Sequence, residues 1–125
     1  MAGLDASTPV PTAIKLHQMS RVLEMSFNNG STFRLPYEYL RVHSPSAEVR
    51  GHGPGQETLQ IGKEGVGITE VETVGHYAIR PVFSDGHNSG IYSWDYLYDL
   101  GVRQSELWQS YLDRMQAAGA SRKAG

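Results

Sequence analysis

The sequence SDGHNSGIYSWDYLY, residues 84–98, combines a turn, a histidine and the start of an aromatic helix. Asp85-Gly86 is a dipeptide typical of tight turns, and Ser93 is a favoured residue at a helix N-cap. Trp94 and the leucine three positions later share one face of the helix that follows. The segment therefore predicts a site in which His87 is delivered to a helix entrance.

Alternating apolar residues predict antiparallel strands before this segment. One group occupies residues 14–16, 22–27 and 32–35, with Asn29-Gly30 as a hairpin turn. A second group occupies residues 66–74 and 77–83, and a short strand ending at Tyr92 follows the turn at Asp85.

Helices are predicted on either side of the second group of strands. Pro36 suits the first turn of a short helix that stops at His43, and residues 43–57 then form a long loop. Two C-terminal helices follow, one from Ser93 to about Leu100, stopped by Gly101, and one over about residues 104–117. The second has an apolar stripe that is expected to pack on the sheet, formed by Leu107, Tyr111, Leu112 and Met115.

Together these patterns predict an α+β fold, with one antiparallel sheet of about five or six strands and the C-terminal helices packed on one face. The length of 125 residues fits a single domain, predicted over residues 11–117, with disordered tails at 1–10 and 118–125.

Composition limits the function classes. The net charge of -2 offers no field for a nucleic acid or an anionic membrane, so neither is an expected partner. The sequence has no cysteine, which excludes disulfides and thiolate chemistry. It also lacks an apolar run of membrane length and a leader pattern, so a cytoplasmic location is expected.

Read with LPYEYLRVHSPS at residues 35–46, the opening segment resembles the gamma-butyrobetaine hydroxylase-like N-terminal domain family, a domain of unknown function. The resemblance runs from about residue 11 to residue 100, and its most specific parts are L-P-x-x-x-L-R and D-G-H-x-S-x-x-Y-S-W-D-Y-L. It implies a cysteine-free, stand-alone member of a family of small accessory domains. Such domains are found alone, ahead of 2-oxoglutarate-dependent oxygenase domains, or attached to P-loop iron-sulfur carrier ATPases, and none of these settings makes the domain itself a catalyst.

The resemblance also bears on metal binding. Some family members bind zinc through the cysteines of a C-P-C-x-x-C cluster after L-R, together with the histidine of the D-x-H turn. The matching positions here are Ser44, Ser46, Val49 and His87, so only the histidine is retained. Serine and valine do not supply thiolate ligands, and we therefore expect no structural zinc and no other cofactor.

Two alternatives remain for the histidines. His43 and His52 from the long loop could join His87 in an open metal site, as a metal-dependent or small-molecule enzyme would require. Otherwise His87 hydrogen-bonds a carbonyl or Asp85 and fixes the turn, while the loop histidines are solvated.

Arginines give a further alternative. Arg41 could anchor Asp85 or bind an external acidic ligand, and with Arg34, Arg50 and Arg80 it could form an anion-binding patch, although solvated surface arginines are common. The sequence has no serine nucleophile elbow, no P-loop and no facial triad for iron, so catalysis is not expected.

The leading hypothesis is a non-catalytic binding or adaptor module, linked to iron-sulfur or iron-dependent proteins only by the resemblance. A protein partner and a monomeric state are expected, and a scaffold that self-associates through exposed aromatic residues is a further alternative. The contact surface is predicted at the loop 43–57, the histidine turn and the nearby aromatic cluster, with these candidate binding residues: Arg41, His43, His52, Asp85, His87 and Trp94.

Overall fold

A computed structural model describes residues 8–51 and 57–123 of the chain. Within these ranges the chain forms six strands and four helices. In order they are β1 Pro11–His17, β2 Val22–Phe27, β3 Thr32–Pro36, α1 Tyr37–Val42, α2 Ala47–Arg50, β4 Ile68–Val74, β5 Ala78–Phe83, β6 Tyr92–Ser93, α3 Trp94–Val102 and α4 Gln104–Ala117.

The first three strands form an antiparallel meander in the order β1-β2-β3. Alternate residues of the central strand β2 are buried, as its apolar period of two predicts. The predicted hairpin at Asn29-Gly30 is confirmed, because Gly30 takes a φ of 89° and its N–H donates to Phe27 O over 3.0 Å.

The last three strands form a second antiparallel sheet in the order β4-β5-β6. After β5 the chain turns at Gly86, whose φ is 91°, and the N–H of Phe83 donates to His87 O over 3.0 Å. The predicted turn at Asp85-Gly86 is therefore confirmed.

The prediction of a single sheet of five or six strands was wrong, because the described strands form two three-stranded sheets. Alternation identifies a strand but does not specify its neighbour. Here each sheet is built from strands that follow one another along the chain, while residues 37–67, which include α1 and α2, separate β3 from β4.

Both sheets nevertheless share one hydrophobic core. Leu23 and Leu35 from the first sheet are in the same buried cluster as Ile79 and Phe83 from the second. Helices α1 and α3 contribute to this cluster, and Leu97 of α3 is fully buried. The α+β class is therefore confirmed.

The sequence predicted that Gly101 stops α3. This prediction was wrong, because the helix continues to Val102. The helix instead passes close to β3 at this position. A Cβ on Gly101 would lie 2.4 Å from Cγ of Phe33, so the glycine allows close packing and does not act as a terminator.

The sequence predicted that the apolar stripe of α4 packs on the sheet, but most of the stripe packs elsewhere. Tyr111 and Met115 form a second buried cluster with Val42 at the end of α1, and Leu59 packs against it. An amphipathic pattern predicts which face of a helix is buried, but not which element covers that face.

Residues 43–57 do not form a continuous loop, because α2 lies within this segment. Ser46 occupies the N-cap position, and its carbonyl accepts from the N–H of Arg50 over 3.0 Å. Val49 is buried at 6% exposure, which gives this single turn an apolar anchor.

The segment after α4 is held against the domain over residues 118–123, which differs from the predicted tail at 118–125. The carbonyl of Arg122 accepts from the N–H of Glu64 over 2.9 Å, and its side chain forms a bidentate pair with Glu38 at 2.7 and 2.8 Å. Disordered tails were predicted at residues 1–10 and 118–125. Of these, residues 1–7 and 124–125 lie outside the described residues. No helix in the described part of the chain has the length and apolar character needed to span a bilayer.

Candidate functional site

Two serines and a histidine meet where the end of α1, the start of α2 and the connection after β5 come together. Oγ of Ser44 lies 2.8 Å from Nε2 of His87, and Oγ of Ser46 lies 3.4 Å from the same nitrogen. All three residues are buried. The structure thus places three of the four positions that correspond to the family's zinc ligands in one cluster, although more than forty residues separate the serines from the histidine.

The fourth of these positions, Val49, is buried beside the cluster and lines the neighbouring cavity. This donor set does not fit a zinc ion. It offers one imidazole and two neutral hydroxyls, whereas a closed zinc site needs about four ligands, usually thiolates, imidazoles or carboxylates. A valine at the fourth position can coordinate nothing.

The non-metal alternative predicted that the ring of His87 bonds a carbonyl or Asp85. The ring instead bonds the hydroxyls of Ser44 and Ser46. The turn is instead fixed by the backbone of His87, whose N–H donates to Oδ1 of Asp85 over 3.2 Å. Burial, and then the positive charge of Arg41, lower the pKa of His87, while Glu48 and Asp85 oppose this shift. The imidazole is accordingly neutral near pH 7.

Gly90 allows the two halves of the site to approach each other. A Cβ at this position would lie 2.3 Å from Oγ of Ser44 and 3.3 Å from Cδ of Pro45. The hydroxyl of Tyr92, two residues later, donates to Leu40 O over 2.5 Å and is buried. The connection after β5 is therefore held tightly against the end of α1.

A charged network lies next to the serine–histidine cluster. Nε of Arg41 donates to Oδ2 of Asp85 over 2.9 Å, and Nζ of Lys63 donates to the same oxygen over 2.7 Å. Burial would raise the pKa of Asp85, but hydrogen bonds from Lys63 and the His87 N–H, and the charge and hydrogen bond of Arg41, together lower it to about 2. Of the two roles predicted for Arg41, the structure therefore shows the internal one.

One alternative predicted that His43 is a solvated loop residue, but its ring is held by a hydrogen bond and an aromatic contact. Its Nδ1–H donates to Tyr39 O over 3.0 Å, and its ring lies 4.8 Å from the ring of Tyr39. Burial lowers the pKa of His43; the hydrogen bond to Tyr39 opposes this, and the charge of Arg114 adds to it.

Of the predicted three-histidine site, the structure describes two members: His43 bonds Tyr39 O through Nδ1, and His87 bonds the hydroxyl of Ser44 through Nε2. No group of three or more His, Cys, Asp or Glu that could hold a metal occurs in residues 8–51 and 57–123. His52 lies outside these ranges, so the histidine site and the absence of a cofactor both stay predictions.

Trp94 was predicted to be part of an exposed contact surface, but it is buried at 7% exposure. Its indole N–H donates to His76 O over 2.7 Å. This tryptophan fixes the start of α3 against the turn between β4 and β5, and it presents no surface to a partner.

The four predicted arginines do not converge into an anion-binding patch. Arg34 pairs with Glu24 at 2.8 Å, and Arg80 pairs with Glu72. Arg50 differs from the others because its guanidinium lies 4.8 Å from the ring centroid of Tyr96, in a cation–π contact.

A cavity of about 490 Å³ opens beside the serine–histidine cluster. Two cationic side chains border it, Arg50 from α2 and Arg114 from α4. The remaining lining is mixed and consists of Val42, His43, Ser44, Val49, Gly51, Glu57, Thr58 and Tyr96.

A second cavity of about 530 Å³ shares Arg50 and Tyr96 with the first. Its other lining residues are Pro45, Tyr77, Ile91, Ser93, Asp95 and Asp99. Sequence reasoning missed the roles of Arg114, Tyr96 and Ile91, because no local motif links residues that meet only through the fold. Ile91 and Tyr96 lie within the motif at residues 85–97, which was the one available signal for them, whereas Arg114 had none.

Fold and site together describe a small α+β domain in which the turn histidine, His87, is hydrogen-bonded to the segment after L-R. Residues 14–98, more than half of the chain, match the family described as gamma-butyrobetaine hydroxylase-like, N-terminal. The chain belongs to this family, and the resemblance noted in the sequence is confirmed.

Solved structures support the same assignment. One solution NMR structure is 46% identical with a TM-score of 0.82, covering 95% of this chain and 94% of the other. A second is 48% identical with a TM-score of 0.82, covering 99% of this chain and 92% of the other. A crystal structure of a protein with unknown function from Acidithiobacillus ferrooxidans, a member of the domain of unknown function 971 family, is 43% identical with a TM-score of 0.62, covering 73% and 91%. The comparison with curated proteins gave no significant match.

Proposed function

We propose that this chain is a non-catalytic accessory domain that binds a protein partner through the surface around α2. The internal pairing of its reactive groups carries this proposal. Ser44 and His87 bond each other, and Arg41 is paired with Asp85. Every buried side-chain nitrogen or oxygen in the described residues has a hydrogen-bond partner.

Catalysis requires a nucleophile or a base that can reach a substrate. Ser44 is only 1% exposed, and the Nε2 atom of His87 is occupied by the serine hydroxyls. The nearest carboxylate to the other ring nitrogen is Glu48, at 4.0 Å from Nδ1, which exceeds hydrogen-bond distance. These groups are suited to holding the turn against α2 and not to attacking a substrate.

The hydrogen bonds of His87 to Ser44 and Ser46 fix the position of the surface beside them. Ser44 and Ser46 lie immediately before α2, so their bonds to His87 fix the helix that carries Arg50. Arg50 and Tyr96 then form the boundary between two open cavities. A surface with a rigid aromatic residue and an arginine at its centre has the composition typical of protein contact sites.

The class of partner follows from the family resemblance. Domains of this family attached to P-loop iron-sulfur carrier ATPases or placed ahead of 2-oxoglutarate-dependent oxygenases suggest that the partner is an iron-sulfur or iron-dependent protein. No observation on this chain favours the alternative of a metal-dependent enzyme using His43, His52 and His87.

The experiment measures binding of the full chain to a purified P-loop iron-sulfur carrier ATPase and to a 2-oxoglutarate-dependent oxygenase from the same source organism, by biolayer interferometry. We expect saturable binding to at least one of them. Arg50→Glu should weaken that binding, whereas the matched control Lys15→Glu, an exposed change on β1, should not. Absence of binding to both proteins would remove the iron-linked partner from the proposal.

A further inference from the structure

The two cavities adjoin at Arg50 and Tyr96, which line both of them, and the two together are called the groove below. The first cavity is lined by the guanidiniums of Arg50 and Arg114 and by one carboxylate, that of Glu57, and in the described part of the chain neither arginine forms an ion pair. The second cavity is lined by Arg50 and by two carboxylates, those of Asp95 and Asp99, so positive charge is in excess in the first cavity and negative charge in the second. A ligand that fits both ends must therefore change its own charge along its length.

The second cavity also has an apolar part. Pro45, Tyr77 and Ile91 line it, and Ile91 is 47% exposed although it is a large hydrophobic residue. Together with Pro45 and Tyr77, it gives the second cavity an apolar wall that an apolar side chain of a partner can cover.

We infer that this groove binds an extended segment of a partner protein that has a carboxylate for Arg50 and Arg114 and an apolar side chain, followed by a basic one, for the second cavity. The inference rests on the proposed function and specifies which part of the surface makes the contact. Planar guanidiniums bind carboxylates in a bidentate manner, and two of them at one cavity favour a single carboxylate over a neutral group.

The dimensions favour a polypeptide over a metabolite. Each cavity, at about 490 and 530 Å³, is by itself large enough for a small molecule, since such sites measure about 300–1,000 Å³. A small carboxylate would fill only one of them and leave the apolar part around Ile91 uncovered. The carboxylates of Asp95 and Asp99 also disfavour a nucleic acid, whose phosphates would be repelled along half of the groove.

The test begins with selection of random short peptides displayed on phage against the folded full chain. Enriched peptides should combine an Asp or Glu with an aliphatic or aromatic residue and a Lys or Arg. One enriched peptide is then synthesised, along with a version in which Asn or Gln replaces the acid, and titrated into isotopically labelled protein while backbone NMR shifts are followed.

We expect Arg114→Gln to weaken the acidic peptide about tenfold and to leave the neutral version unchanged, while Ile91→Ser weakens both. Both positions are exposed or border open cavities, so both variants should fold, as their NMR spectra will show. Lys15→Gln removes a positive charge from the distant strand β1 and should leave affinity unchanged.

Several outcomes would overturn the inference that the groove binds a partner segment. They are a lack of enriched peptides, shifts located away from the two cavities, and acidic-peptide affinity that Arg114→Gln does not change. N-acetylaspartate binding as tightly as the peptide would also overturn it, in favour of a small-molecule carboxylate site. If an iron-dependent protein binds the chain and Arg114→Gln and Ile91→Ser do not affect that binding, the proposed function stands and the groove fails. If the peptide binds the groove and neither iron-dependent protein binds the chain, the groove stands and the proposed partner class fails.

Discussion

Gly90 and Ser44 approach each other so closely that no side chain fits between them, because a Cβ on Gly90 would lie 2.3 Å from Oγ of Ser44. The same hydroxyl lies 2.8 Å from Nε2 of His87. A glycine at position 90 is thus a condition for the serine–histidine contact that joins the two specific motifs of the sequence.

Replacing Gly90 with alanine should destabilise the fold. The new methyl group would press on Ser44 and Tyr92, and overpacking of this kind costs about 1–3 kcal/mol. Urea denaturation measures the change in the free energy of unfolding. Gly65→Ala is the matched control, because the nearest atom to its Cβ, Nη1 of Arg21, is 3.8 Å away. Adding Ser44→Ala to Gly90→Ala should recover part of the loss, and a Gly90→Ala protein as stable as the wild type would contradict the close contact.

Removal of the Arg41 charge should destabilise the domain. Arg41 is 7% exposed and pairs with Asp85, and the loss of a buried hydrogen-bond partner costs about 1–3 kcal/mol, while Lys63 still compensates the charge of Asp85. Thermal or urea unfolding of Arg41→Gln checks this. Arg34→Gln removes an arginine whose side chain is 56% exposed from its pair with Glu24, and it should cost about 0–1 kcal/mol. Normal stability of Arg41→Gln together with lost partner binding would instead assign Arg41 to recognition.

Stability should fall as the pH drops below about 6.5, because the pKa values of both His43 and His87 are lowered in the fold from 6.5. The unfolded chain then binds protons that the folded chain does not, so the stability present above pH 6.5 is lost as the pH falls towards the folded pKa values. Asp85, whose pKa is lowered from 3.8 to about 2, adds a separate loss only below pH 3.8.

Urea denaturation on both sides of pH 6.5 measures this dependence. His87→Gln should reduce the slope of unfolding free energy against pH, because the lowered pKa of this histidine contributes to that slope. An unchanged slope in His87→Gln would show that this histidine has the same pKa in the folded and unfolded chain.

Local elements followed from the sequence because their signals are local. The Asn29-Gly30 hairpin, the short helix after Pro36 and the Ser93 N-cap all depend on residues within a few positions of each other. The division into two sheets did not follow, since alternation is the same whichever strand is the neighbour. Gly101 was misassigned for a similar reason, because its contact with Phe33 exists only in the folded chain.

The site was predictable in part. The resemblance identified Ser44, Ser46 and His87 as related positions, and the structure places them together. It did not predict that the hydroxyls would bond the imidazole directly. Contacts between distant residues, such as Arg122 with Glu38 across 84 positions, have no signature in a single sequence. Charged residues like Arg114 are usually solvated, so their place at a cavity becomes apparent only in the fold.

Restoring the family's cysteines should create a zinc site. In a tetrahedral site a thiolate and an imidazole nitrogen lie about 3.5 Å apart, and the hydroxyls of Ser44 and Ser46 already lie 2.8 and 3.4 Å from Nε2 of His87. The lowered pKa of His87 keeps that nitrogen neutral, as a metal ligand must be.

The triple variant Ser44→Cys, Ser46→Cys, Val49→Cys should therefore bind one zinc ion, measured by elemental analysis, and give thiolate absorption bands with cobalt. Zinc should raise its unfolding temperature, because a ligand that binds only the folded chain stabilises it. The same variant with His87→Gln is the control and should bind the metal much more weakly, since its fourth ligand is lost. A folded triple variant that binds no zinc would mean that Val49 does not occupy the third cysteine position, and that the turn histidine of this chain serves the serine contact alone.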